Sequence, residues 1–209
     1  MIFVTGGTGY LGGYVLTRLL ETHRAPVMLL VRAKDRREAI SKLWGGLQLH
    51  MDERRFAAAL PLVSFVQGDL TAPALGLTKE ARRRVARECT SVLHIAASLN
   101  RKSEKACLNA NLRGTLSVIN VAREMMHGGS DLRRFSHVST VAVCGHRDRE
   151  VVTEDAAIDW DRSDYDPYGR TKKFAEHMVR ELLPNVQKTF FRPSIVSLGY
   201  CQYRSMSLP

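Results

Sequence analysis

Two side chains in "DYDPYGRTKKFAEHMV" could exchange a proton with a reacting oxygen: Tyr168 and Lys172, in Y-x-x-x-K spacing. Residues four apart on a helix stack on one face. An ammonium held near a phenol favours the phenolate and lowers its pKa from about 10 toward working pH. The result is a group able to exchange a proton with a carbonyl or alcohol oxygen. Tyr and Lys at this spacing also occur by chance on many helices, so context decides. In "FSHVSTVAVCG" a strand-like run emerges into two hydroxyls, Ser139 and Thr140. A hydroxyl there can hold a substrate oxygen beside the tyrosine. Alone, the pair would be two hydroxyls closing a strand.

A second constellation opens the chain. In "MIFVTGGTGYLGG" an apolar run feeds Gly6, Gly9 and Gly12, and a helical sequence follows. Between a first strand and a first helix, this pattern predicts a dinucleotide turn built from Thr5, Gly6, Thr8, Gly9, Tyr10, Leu11 and Gly12. Gly6 permits the tight turn, Gly9 lets a pyrophosphate approach the backbone, and Gly12 allows close packing, while the helix N-terminus attracts the anion. About twenty residues on, where a carboxylate would meet a ribose 2′-hydroxyl, the second strand ends in "LLVRAKD" with Arg32. Arginine suits a 2′-phosphate, so NADP(H) is favoured over NAD(H). Lys34 and Arg36 read as surface charges at a helix start, and Asp35 as the N-cap of that helix. Asp69 of "QGDL" stands at the C-terminal edge of the third strand, where such folds bind ligands.

The elements that must position these groups are six strand-like runs: "MIFVTG", "PVMLLVR", "LVSFVQ", "SVLHIAA", "RFSHVSTVAV" and "KTFFRPSIV". Helical segments separate them, with one stripe at Leu11, Val15 and Leu19 and another at Leu112, Leu116, Ile119, Ala122 and Met126. The alternation predicts an α/β fold, a doubly wound parallel sheet of Rossmann type, over residues 1–209 as one domain.

Composition narrows the classes. A chain of 209 residues with 44% hydrophobic content suits one globular domain. No run approaches the eighteen or so apolar residues of a membrane span, and no signal-peptide pattern opens the chain, so a cytoplasmic protein is expected. Cys89, Cys107, Cys144 and Cys201 lie far apart without metal-ligand spacing, which predicts free thiols and no metal. The net charge of +10 gathers in runs such as "ARRRVAR" and "DLRR". Solvated helix faces are the ordinary source of such runs, and an acidic partner is the alternative. Aromatics are sparse among them, so no nucleic-acid partner is expected.

Taken in order, "TGGTGYLG", "GDL", "HIAAS", "NLRGT", "VSTVAVCG", "YGRTK" and "FRPSIV" make the whole chain resemble the extended short-chain dehydrogenase/reductase family. Within it, "LLVRAKDRREAISKL" and "HIAASLN" are similar to the branch of fatty acyl-CoA reductases and carrier-bound thioester reductases, the male sterility NAD-binding branch. The resemblance implies that Thr140 is the catalytic hydroxyl, because family members place it four residues before the position of Cys144. It implies that Tyr168 is the acid/base and Lys172 its partner. Asn111 would support the lysine, Asp69 would contact adenine, and Leu70 would neighbour it. Ala96 and Ala97 would line the cofactor's path, and Pro193 would lie by the nicotinamide. Sugar-nucleotide epimerases typically show tyrosine where Cys144 stands.

The activity so implied is NADPH-dependent reduction of an acyl thioester, on coenzyme A or an acidic carrier protein, to aldehyde or alcohol. Basic surface would then steer anionic partners, and a homo-oligomer is compatible with the reading. Family members continue past the "RPSIV" strand into a small lobe that builds the substrate pocket, so the usual C-terminal lobe is expected to be absent or truncated here. The rivals are a hydroxysteroid-type dehydrogenase or an epimerase/dehydratase on the same fold, and a non-catalytic NADP(H)-binding protein.

Overall fold

The computed structural model describes residues 1–128, 131–154 and 158–196. Cys201 and the "GYCQYRSMSLP" segment lie outside the described residues. Six parallel strands form one sheet: β1 (Ile2–Thr5), β2 (Val27–Val31), β3 (Val63–Gln67), β4 (Ser91–His94), β5 (Arg134–Val138) and β6 (Lys188–Phe191), in the order β3-β2-β1-β4-β5-β6. All five residues of β2 are buried, as a central parallel strand covered on both faces requires.

Alternate residues of each strand feed two cores. Val4 and Leu29 pack with Leu16 and Leu20 of α1 (Tyr10–Glu21), Leu43 and Leu47 of α2 (Arg36–Leu47) and Phe56 of α3 (Glu53–Ala59). Phe3, Met28 and Phe135 pack with Val85 of α4 (Lys79–Glu88), Val118, Ile119 and Met125 of α6 (Gly114–His127) and Val179 of α7 (Pro167–Leu182). The short α5 (Glu104–Cys107) runs through a π-helical turn, Leu108–Arg113, into α6.

Six strands stand where six were predicted, but the fourth stops at His94 and the sixth at Phe191, so "RPSIV" follows the last strand instead of forming it, and other details differ as well. The fifth ends at Val138, and Val141–Cys144 form a short 3-10 helix that Thr140 caps, its hydroxyl accepting from the Ala142 amide at 3.3 Å. Leu11, Val15 and Leu19 are only partly buried, and the inner stripe of α1 is Gly12, Gly13, Leu16, Thr17 and Leu20. In α6 Leu116 and Met126 are exposed, and Thr115, Val118, Ile119, Ala122 and Met125 face the sheet. The π turn adds a residue just before α6, so the period used for the whole segment does not run through it.

Asp35 caps α2 as expected, accepting from the Glu38 amide at 2.8 Å. Cys89, Cys107 and Cys144 are free. Among the described residues, no helix is long and apolar enough to cross a membrane, and no cluster of His, Cys, Asp or Glu could hold a metal ion.

Candidate active site

In this strand order the chain direction around the sheet reverses between β1 and β4, and the crevice beyond their C-terminal ends is where such sheets bind ligands. A groove of about 1330 Å³ occupies that position. Its floor is the turn after β1. Gly6 has φ +78°, and a Cβ there would come within 2.5 Å of the Ala96 amide nitrogen. A Cβ on Gly12 would fall onto the Gly6 carbonyl oxygen, so the helix can start against the turn only with glycine at that position. Above Gly9 the space is open, apart from the Gly6 carbonyl at 3.4 Å. Gly9 is the N-cap of α1, offers no side chain to its first turn, and no acidic residue stands there. A helix start without its own capping carboxylate suits a pyrophosphate, so the residues present fit a dinucleotide.

One end of the groove is the edge beside β2 and β3. Arg32 is 76% exposed, with Nη1 3.7 Å from Asp69 Oδ2. The Asp69 carboxylate accepts from both the amide and the hydroxyl of Thr71, each at 2.8 Å. Burial pushes its pKa up, but the Thr71 bonds and Arg32 outweigh this and hold it below the ordinary carboxylate value.

At the other end, Thr140 and Tyr168 meet. The Asp166 carboxylate caps α7, accepting from the Gly169 amide at 2.7 Å, and Pro167 takes the first helical position, so Tyr168 is presented from the first turn. Tyr168 is 8% exposed. Burial pushes its phenol up from the ordinary value, while Arg101 and then a hydrogen bond with Thr140 pull it down.

Thr5, Gly6, Thr8, Gly9, Tyr10, Leu11, Gly12, Arg32, Asp69, Leu70, Ala96, Ala97, Thr140, Tyr168 and Pro193 all line the one groove. Lys172 and Asn111 do not line it; both are buried behind it. Lys172 Nζ donates to the Val138 carbonyl at 2.5 Å and lies 3.2 Å from His137 Nε2. Burial pushes its pKa down to about 7, against the pull of Glu176. The Lys172 ammonium is thus held by the strand behind the groove, and burial is the largest influence on the Tyr168 phenol. Asn111, in the π turn, accepts from the Ser98 amide at 2.7 Å and donates to the Ser98 carbonyl and the Thr171 hydroxyl. It therefore ties the loop after β4 to the helix that carries Tyr168 and Lys172.

Several groove residues escaped sequence reasoning, among them Arg101, Arg147, Tyr165 and Arg192. Arg101 and Arg147 come from irregular segments, where no periodicity aims a side chain. Ser139, the other hydroxyl of the pair, keeps its Oγ buried without a hydrogen-bond partner among the described residues.

Known proteins share this fold. The terminal R domain from the myxalamid PKS-NRPS biosynthetic pathway superposes with a TM-score of 0.83 at 28% identity, covering 94% of this chain and 49% of that one. The reductase (R) domain of a nonribosomal peptide synthetase from Mycobacterium tuberculosis gives 0.71 at 26% identity, over 93% and 47%. In sequence, the fatty acyl-CoA reductase wat of Drosophila melanogaster is 25% identical over 95% of this chain and 43% of its own length. The chain thus spans about half, or less, of each of these relatives. A family model of an NAD-binding domain, described as "Male sterility protein", matches residues 4–207, nearly the full length, and the chain therefore belongs to that family.

Proposed function

We propose that this chain is the cofactor-binding part of an NADPH-dependent oxidoreductase that reduces an acyl thioester, on coenzyme A or an acidic carrier protein, to aldehyde or alcohol. The observation that carries the reading is the convergence of Thr140 and Tyr168 in the same groove as the glycine turn. The similarity to a fatty acyl-CoA reductase and to reductase domains of peptide synthetases supports the substrate class.

The turn Gly6–Gly12 and the start of α1 would hold the pyrophosphate. Arg32 would meet the 2′-phosphate; its ion pair with Asp69 is long and exposed, so the guanidinium is available to a stronger anion. Ala96, Ala97 and Pro193 would flank the path to the nicotinamide, which supplies the hydride when bound. The Thr140 and Tyr168 hydroxyls would bind the carbonyl oxygen and stabilise the charge that develops on it. Burial keeps the phenol protonated at neutral pH, as a proton donor in the reducing direction must be. The resulting hemithioacetal would collapse to aldehyde and thiol.

Fluorescence titration with NADPH and with NADH, followed by a long-chain acyl-CoA, tests the reading. Tight NADPH binding and oxidation on adding the thioester are expected, and oxidation should fall roughly 10²- to 10⁴-fold in Tyr168→Phe with cofactor affinity retained. Oxidation of a simple alcohol without thioester reduction would overturn the substrate class, and undiminished turnover in Tyr168→Phe would overturn the role of the tyrosine.

A further inference from the structure

With Lys172 held by the strand behind it, the cation over the Tyr168 ring is Arg101, whose guanidinium carbon lies 5.5 Å from the ring centroid. Arg101 stands in the loop after β4 and lines the groove. Its Nη1 lies 3.1 Å from Asp166 Oδ2, while Asp166 Oδ1 caps α7. One carboxylate therefore anchors both the helix that presents the phenol and the cation that faces it. Ionisation adds negative charge to the phenol ring, so a cation against that ring favours the phenolate over the phenol.

We propose that Arg101 is a positioning residue of the site, its guanidinium, held by Asp166, stabilising the phenolate of Tyr168. The inference rests on the reading of Tyr168 as the proton donor. The groups facing the phenol come from four directions: Arg101 from the loop after β4, Thr140 from the loop after β5, Asp166 from the start of α7 and Cys107 from α5. Burial raises the phenol pKa most, Arg101 and Thr140 lower it, and Asp166 and Cys107 raise it. Among the described residues, Arg101 is the cation that stands over the ring.

Tyrosinate absorbance tests this on the full chain without cofactor or substrate. Subtracting the pH titration of Tyr168→Phe from that of the unsubstituted chain isolates the Tyr168 phenol. Arg101→Gln should displace the isolated curve to higher pH. At the pH where half of the original phenol is ionised, roughly half as much tyrosinate or less should remain. Arg101→Lys, which keeps the charge, should return the curve most of the way. A curve unmoved by Arg101→Gln, or moved equally by Gln and Lys, overturns the proposal. Turnover of acyl-CoA separates the two readings: if Tyr168→Phe is fully active the proton-donor reading falls, whereas an inactive Tyr168→Phe with an unmoved Arg101→Gln curve removes Arg101 alone.

Discussion

Arg32 and Asp69 show how little a surface contact fixes by itself. Their 3.7 Å separation and high exposure make the pair weak, so a phosphate could displace it at small cost. Arg32→Asp should therefore weaken NADPH by roughly tenfold or more while changing NADH much less, as parallel titrations would show. Equal losses for the two nucleotides would remove Arg32 from the 2′-phosphate. At this scale the sequence was informative where chemistry depends on local spacing: Tyr168 on its helix, Thr140 at a strand end, and the three glycines. The partners of Lys172, His137 and the Val138 carbonyl, were not legible, because they lie more than thirty residues earlier on a strand. Arg101 reaches Tyr168 from a loop sixty-odd residues away, and no spacing rule connects them.

Elements carry the next level of constraint. Helix α7 brings Tyr168 to the groove at its start and, two turns on, buries Glu176 completely. That carboxylate binds Arg192 through two bonds, at 2.9 and 2.7 Å, and lies 3.9 Å from Arg180. Arg192 immediately precedes Pro193, so the pair fixes the segment after β6 against α7. Glu176→Gln should cost about 3 kcal/mol, measured by urea unfolding, because it leaves a cation without its countercharge. A loss below about 1 kcal/mol would show that the pair is already well solvated. Alternation of apolar runs made the six strands legible, since buried parallel strands are nearly uniform in hydropathy. The π turn at Leu108–Arg113 was not, because the same residues read as a continuous α period; in the fold it carries Asn111, whose side chain bonds Ser98 and Thr171.

Across the whole molecule, two buried histidines tie strands and helices together. His94 Nδ1 lies 2.6 Å from the Thr5 hydroxyl and its Nε2 2.9 Å from that of Thr115, and its ring centroid is 5.2 Å from that of His137. Burial, reinforced by Lys172, pushes the His94 pKa down to about 3 and that of His137 well below the ordinary imidazole value. In the unfolded chain both rings take a proton near pH 6.5. Below that pH the unfolded state therefore binds more protons at these two rings than the folded one, and the part of the stability that rests on them, full above it, is lost as the pH falls. Urea unfolding between about pH 6.5 and 5, above most carboxylate titrations, should show this decline, and His94→Gln should reduce its slope by about one proton. An unchanged slope would mean that His94 already carries its proton in the fold.

The close approach of Gly6 to Ala96 has a mechanical consequence. The turn after β1 and the loop after β4 meet without room for a single methyl group. Parallel pairing of Thr5 with His94, together with the hydroxyl–imidazole bond between them, locks the strand ends below this contact. The spacing between the turn after β1 and the loop after β4 is thus set by main chain rather than by adjustable side chains. One wall of the groove is in this sense a fixed jaw rather than a flexible lip: on the proposed reading, a cofactor would have to fit the main chain there, because the main chain has no slack to follow the cofactor.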